Sequence, residues 1–103
     1  MDIRLITRHL ECSQALVDLA HRRAGYAFSR FGDMVHGLEI RLSDVNGPRG
    51  GLGIACLARL RLVDGGDVLV EASAISPEDG IAQTIARLSE RLRRVVSRRH
   101  GHR

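Results

Sequence analysis

Arg87, Arg91, Arg94 and Arg98 recur at intervals of four, three and four residues near the end of this 103-residue sequence. On a helix they fall within an arc of roughly 60° and stand about 5–6 Å apart. That is close to the spacing of successive phosphates on one nucleic-acid strand. A guanidinium grips phosphate with a planar two-pronged fork, so this row offers polyanion binding rather than bond making. A helix face that is merely solvated ordinarily interleaves Glu with its basic residues. Here no i,i+4 partner within the row is acidic, and four like charges standing together call for an anionic partner. Arg22, Arg23 and Arg30 are candidates for a second basic edge, and Arg23 is expected nearest the apolar face of its helix, its stem laid over the core.

Other chemistries are poorly represented. Cys12 and Cys56 have no C-x-x-C spacing and read as two reduced thiols. His100 and His102 lie on a basic tail without a nearby Cys or carboxylate, while His9, His21 and His36 are scattered. The stretch from Asp44 to Gly53 is rich in glycine but lacks the Gly-Lys-Ser/Thr ending of a phosphate loop. It also precedes a strand rather than a helix. Asp44 and Asn46 imitate the opening of a calcium loop whose closing Glu is missing. No serine has a Gly-x-Ser-x-Gly context. The expectation is a binder, not an enzyme, with no metal and no cofactor.

Charge sharpens this reading. All 16 basic side chains are Arg, against 12 acids, for a net charge of +4. Residues 1–82 carry nine Arg and eleven acids, whereas residues 83–103 carry seven Arg and one acid, Glu90. A cationic end on a near-neutral body suits a polyanion, nucleic acid before anionic lipid. Aromatics are only 3% (Tyr26, Phe28 and Phe31), too few for a sheet that stacks bases across its surface. No apolar run approaches the roughly 18–20 residues of a membrane span and no secretory leader opens the chain, so a cytoplasmic address is expected.

The elements that must position these residues follow from periodicity. Ile3 to Arg8 reads as a strand. Ser13 caps a helix running to about Arg30, with Leu16, Leu19, Ala20, Arg23 and Ala27 on one face, and Gly32-Asp33 ends it. Leu38 to Leu42 alternates apolar and charged residues as a strand does. Cys56 to Leu62 and Val68 to Ala72 pair as a hairpin about Asp64–Asp67. Ser76, Pro77, Glu78 and Asp79 announce the last helix, whose apolar stripe is Ile81, Ile85, Leu88, Leu92 and Val95/Val96. The expected fold class is α+β, in the order β-α-β-β-β-α, with two helices packed on one face of a four-stranded mixed sheet. Residues 1–99 form a single domain in this reading and 100–103 a basic tail.

The opening Met1-Asp2-Ile3-Arg4 with Arg8-His9, the Ala15-Leu16 helix start and Arg22-Arg23 resemble the ribosome hibernation-promoting factor family, also called ribosome-associated inhibitor proteins. Ser29-Arg30-Phe31 through Leu42 to Gly47, then Gly50-Gly51 and Cys56, are similar to a short proteobacterial branch of it. The likeness covers nearly the whole chain. It departs at Gly53-Ile54-Ala55, where the branch carries charge, and at Ser76 to Ile81, where the family places an aromatic. The resemblance implies binding to RNA of the small ribosomal subunit and inhibition of translation in stress or stationary phase. It places basic positions at Arg22, Arg23 and along Arg87 to Arg94. The alternative is a protein-interaction module, most simply a homodimer through the open sheet face. There Ile6, Leu57 and Leu69 sit among Glu39, Arg41, Arg59, Arg61 and Glu71.

Overall fold

In the computed structural model, residues 1–45 and 53–100 are described, with side chains through Arg98. Alternation of apolar and polar residues produces four strands: β1 (Asp2–Arg8), β2 (Val35–Asp44), β3 (Ile54–Leu62) and β4 (Asp67–Ala74). They lie in the order β1-β2-β3-β4. β1 runs parallel to β2, and the other neighbours are antiparallel, so the sheet is mixed. Helices α1 (Gln14–Phe28) and α2 (Pro77–His100) complete the β-α-β-β-β-α order. The α+β class and the mixed four-stranded sheet are as the sequence implied. The strands run longer than the clean alternation, by up to three residues at an end. Of the expected loop, residues 46–52 lie outside the described residues, as do 101–103 of the expected tail.

Both helix starts are held by serine. Ser13 Oγ accepts from the Leu16 amide at 3.2 Å, and Ser76 Oγ from the Asp79 amide at 3.1 Å. The end of α1 differs from expectation. The α-helix stops at Phe28, and Ser29–Met34 continues as 3-10 helix interrupted at Gly32 (φ 57°). A positive φ there is a conformation that glycine adopts freely, which ends the helical path. The buried face of α1 is Leu16, Ala20, Ala24 and Phe28. Arg23 is exposed rather than laid against the core, and Leu19 and Ala27 only flank it. Two small residues, Ala20 and Ala24, let α1 settle closely enough for Phe28 to reach the interior.

One core joins both helices to one sheet face. Leu38, Ile40 and Leu42 of β2, alternate residues of β3 from Ile54 to Leu62, and Val68 and Val70 of β4 meet the helix side chains there. From α2 come Ile81, Ile85, Leu88 and Leu92, each no more than 3% exposed. Thr84 is fully buried among them, and its hydroxyl donates to the Gly80 carbonyl at 2.8 Å, within its own helix.

The first turn of α2 sits very close to the sheet. A Cβ placed on Gly80 would lie 2.6 Å from Cys56 Sγ and 3.2 Å from Leu42 Cδ2, whereas one on Gly25 would meet nothing within 4 Å. The same substitution should therefore have opposite signs at the two sites. Gly80→Ala is expected to destabilise by about 1–3 kcal/mol through overpacking, and Gly25→Ala to stabilise by up to ~1 kcal/mol through helix propensity. Urea unfolding measures both, and Cys56→Ala should recover part of the Gly80→Ala loss by removing the sulfur that the methyl meets.

Candidate nucleic-acid interface

The apolar stripe of α2 faces the sheet, which sends its other two flanks in fixed directions. On a helix of 3.6 residues per turn, Arg87, Arg91, Arg94 and Arg98 lie about 120° to one side of the stripe, and Ala82, Ala86, Ser89 and Arg93 about 100° to the other. The arginine flank leans over the β4 edge. Arg87 Nη1 donates to the Glu71 carbonyl, and Arg91 Nη1 donates to that of Leu69 at 3.4 Å. An edge strand has unpaired backbone groups, and covering them discourages edge-to-edge association. Further along, Arg91, Arg94 and Arg98 line an open groove with Arg93 and Ser97.

The opposite flank faces α1. Its small side chains leave an open groove of about 490 Å³ between the helices, lined by Ala27, Ala82 and Ala86, by Arg23, Arg30 and Arg93, and by the carboxylate of Glu90. The Arg30 guanidinium lies 5.1 Å from the centre of the Phe31 ring, a cation–π contact that holds it at the groove mouth. Tyr26 stands at the same border, 91% exposed. Arg22 is exposed on α1 but does not line this groove.

The structure thus divides the expected arginines into two tracts. Arg87, Arg91, Arg94 and Arg98 share one flank, while Arg23 and Arg30 border the inter-helix groove. Tyr26 was not singled out as a site residue from the sequence, and Arg93 entered only through the family resemblance, outside the arginine row. The signal was there, because Arg93 continues the i,i+4,i+7 run of small residues that starts at Ala82. Glu90 sits on the ridge between the tracts. Its Oε1 lies 3.6 Å from Arg93 Nη1 and its Oε2 3.7 Å from Arg94 Nε. The expectation that the arginine row lacks carboxylate partners is corrected here, since Glu90 is four residues before Arg94 and one helical turn beside it. Both partners are largely solvated, so these pairs are weak.

The open sheet face has a different character. Arg41 Nε meets Glu39 Oε2 at 2.7 Å, and Arg59 Nη2 meets Asp67 Oδ2 at 2.7 Å. The hydrogen bond from Arg41, with its charge, holds the Glu39 carboxyl below the ordinary carboxylate range, although partial burial pushes the other way. The stabilisation this gives is present above the unfolded-state pKa and is lost as pH falls through the lowered one. Ile6 and Leu57 are half-buried between these charges, and Leu69 is exposed. Both thiols are free. Cys12 is exposed, while burial beneath α2 pushes the Cys56 thiol above its ordinary pKa. No group of three His, Cys, Asp or Glu that could hold a metal stands together among the described residues, and no helix among them is long and apolar enough to cross a membrane.

Two solved structures share this arrangement of sheet and helices. The N-terminal domain of Protein Y from Thermus thermophilus superposes with a TM-score of 0.74 at 25% identity, covering 92% of this chain and 99% of that one. A ribosomal subunit interface protein from Coxiella burnetii gives 0.74 at 16% identity, covering 94% and 99%, a likeness of fold. No protein-family model and no curated protein matches the sequence. The chain is a small α+β domain whose fold is similar to that of the Protein Y N-terminal domain. Its likeness to the ribosome hibernation-promoting factor family, first apparent in the sequence, extends over nearly the whole structure.

Glu90 pairs with one arginine of each tract, Arg93 and Arg94, so its neutralisation should strengthen polyanion binding there. Glu90→Gln is expected to tighten binding to RNA by about two- to fivefold, the scale of one exposed charge interaction. Titration of a labelled RNA at low salt checks this, and the gain should shrink as salt is raised.

Proposed function

We propose that the protein is a non-enzymatic, ribosome-associated factor. In this reading it binds RNA of the small ribosomal subunit through the arginine-bearing surface of α1 and α2, and it inhibits translation during stress or stationary phase. The observation that carries the proposal is the exposure of guanidinium groups on two adjoining tracts of one helix layer. Beyond Gln83, Glu90 is the one acid in the sequence to oppose them. The Protein Y and subunit-interface neighbours support the ribosome as the partner.

Physically the mechanism is occupation rather than chemistry. Arg23, Arg30, Arg87, Arg91, Arg93, Arg94 and Arg98 are all exposed. Each can exchange a weak internal contact, or water, for a charge-assisted bond to phosphate, and each phosphate neutralised releases condensed counterions. A rigid domain held on RNA in this way excludes other molecules from the same surface. No cofactor is required. An anionic membrane is a poor partner, because an interfacial helix needs a free apolar face and that of α2 is already committed to the core. A cytoplasmic location follows from this reading.

The second reading, a homodimer through the open sheet face, draws on Leu69, which is 49% exposed beside internally paired charges. Such a face is near neutral and suits protein better than RNA. Light scattering across a range of concentrations tests it.

The fourfold substitution of Arg87, Arg91, Arg94 and Arg98 by Glu is expected to abolish co-sedimentation with small subunits in a sucrose gradient, with the fold retained by circular dichroism. For the unsubstituted protein, the logarithm of affinity should fall with the logarithm of salt concentration, by about 0.7–0.9 per phosphate contacted. Unchanged co-sedimentation of the substituted protein would overturn the assignment.

A further inference from the structure

We infer that Tyr26 is a stacking platform for one unpaired nucleobase, and that Arg23, Arg30 and Arg93 hold the phosphates on either side of it. The inference rests on the RNA-binding reading and adds what kind of RNA the inter-helix groove selects.

Tyr26 gains almost nothing from folding. Its side chain is 91% exposed, the most exposed large apolar residue among those described. A single exposed aromatic is ordinary by itself. What distinguishes this one is its setting. Arg22 and Arg23 precede it by about one turn, Arg30 follows four residues later, and Arg93 approaches from α2 across the groove. The preceding residue is Gly25, which has no side chain, and the space where one would stand is open. The groove is lined by the methyl groups of Ala27, Ala82 and Ala86 with Ile85, and by the polar side chains of Ser89 and Glu90.

A groove with alanine methyl groups in its lining, an aromatic at its edge and cations on both rims matches one repeating chemistry, a base between two phosphates. Glu90 in the same lining is the contact that Arg93 must exchange for phosphate. Single strands are bound in this way, with bases stacked on aromatic rings and the backbone tracked by basic side chains. Duplex RNA offers the same phosphates but keeps its bases inside the helix. A purely electrostatic groove would not distinguish the two, whereas a stacking platform does. An acidic peptide would satisfy the arginines but would leave the tyrosine ring without a planar partner.

The chain contains one Tyr and no Trp, so its intrinsic emission reports Tyr26 directly. With the full chain, single-stranded oligoadenylate should quench that emission, and an RNA duplex of equal length should bind without quenching it. Tyr26→Ala should weaken oligoadenylate binding by about tenfold, the usual scale for one stacked base, while Tyr26→Phe and Tyr26→Trp retain it. The salt dependence should be the same in all four proteins, because the ring neutralises no phosphate. If the unsubstituted protein binds neither RNA nor small subunits, the RNA reading falls and this inference with it. If it binds with steep salt dependence, but its emission is unmoved or Tyr26→Ala binds as well as the parent, the stacking role alone is overturned. Equal quenching by the duplex has the same consequence.

Discussion

The rotation of α2 about its own axis governs where its surface arginines stand. Ile81, Ile85, Leu88 and Leu92 are buried against β2, β3 and β4, and each contributes about 1.5–3 kcal/mol relative to exposure. The ion pairs of Glu90 with Arg93 and Arg94 are solvated and contribute about 0–1 kcal/mol each. The core therefore decides which way the helix faces, and the charges take the positions that remain. One flank goes to the β4 edge, the other to α1. Gly80 tightens this arrangement, because its missing side chain lets the first turn of α2 approach Cys56 and Leu42.

The arginines on those flanks are restrained but not committed. Arg87 and Arg91 rest on backbone carbonyls of β4, Arg30 rests on Phe31, and Arg93 and Arg94 share one carboxylate. Each of these contacts is exposed and replaceable. A phosphate offers a full charge where a carbonyl offers a partial one, so exchange is favourable for the guanidinium. The contacts hold long side chains near their working positions, which reduces the rotamer entropy lost on binding. They also cover an edge strand until a partner arrives.

Most of the fold was legible because its signals are local and agree with one another. The alternation in β2 and β3, the serine caps and the apolar stripe of α2 each point to the same architecture. The buried face of α1 was only partly legible. Arg23 shares a face with Leu19 and Ala27 on a helical wheel, yet the buried face turns out to be Leu16, Ala20, Ala24 and Phe28. Two alanines carry too little hydrophobicity to reveal that face, and only the approach of α2 gives them something to pack against. The arginine row was visible at once, since like residues at helical spacing need no tertiary information. Glu90 was visible too, but its reach to Arg93 and Arg94 depends on side-chain geometry that a wheel drawn for one flank leaves out.

The inter-helix groove lay furthest from the sequence, because it is made by two segments more than fifty residues apart. Arg23 and Arg30 read alone are surface arginines, and Arg93 read alone is one of a pair. Tyr26 read alone is one of three aromatics in a short stretch, with no role assigned to it. Its exposure follows from position. With Leu16, Ala20, Ala24 and Phe28 turned inward, Tyr26 falls about 160° from Phe28 on the wheel and cannot reach the core. Folding thus places an aromatic beside three guanidinium groups as a consequence of burying Phe28. In the proposed RNA-binding role, a surface built this way would respond to one property that charge alone does not sense, namely whether the bases of the strand are free.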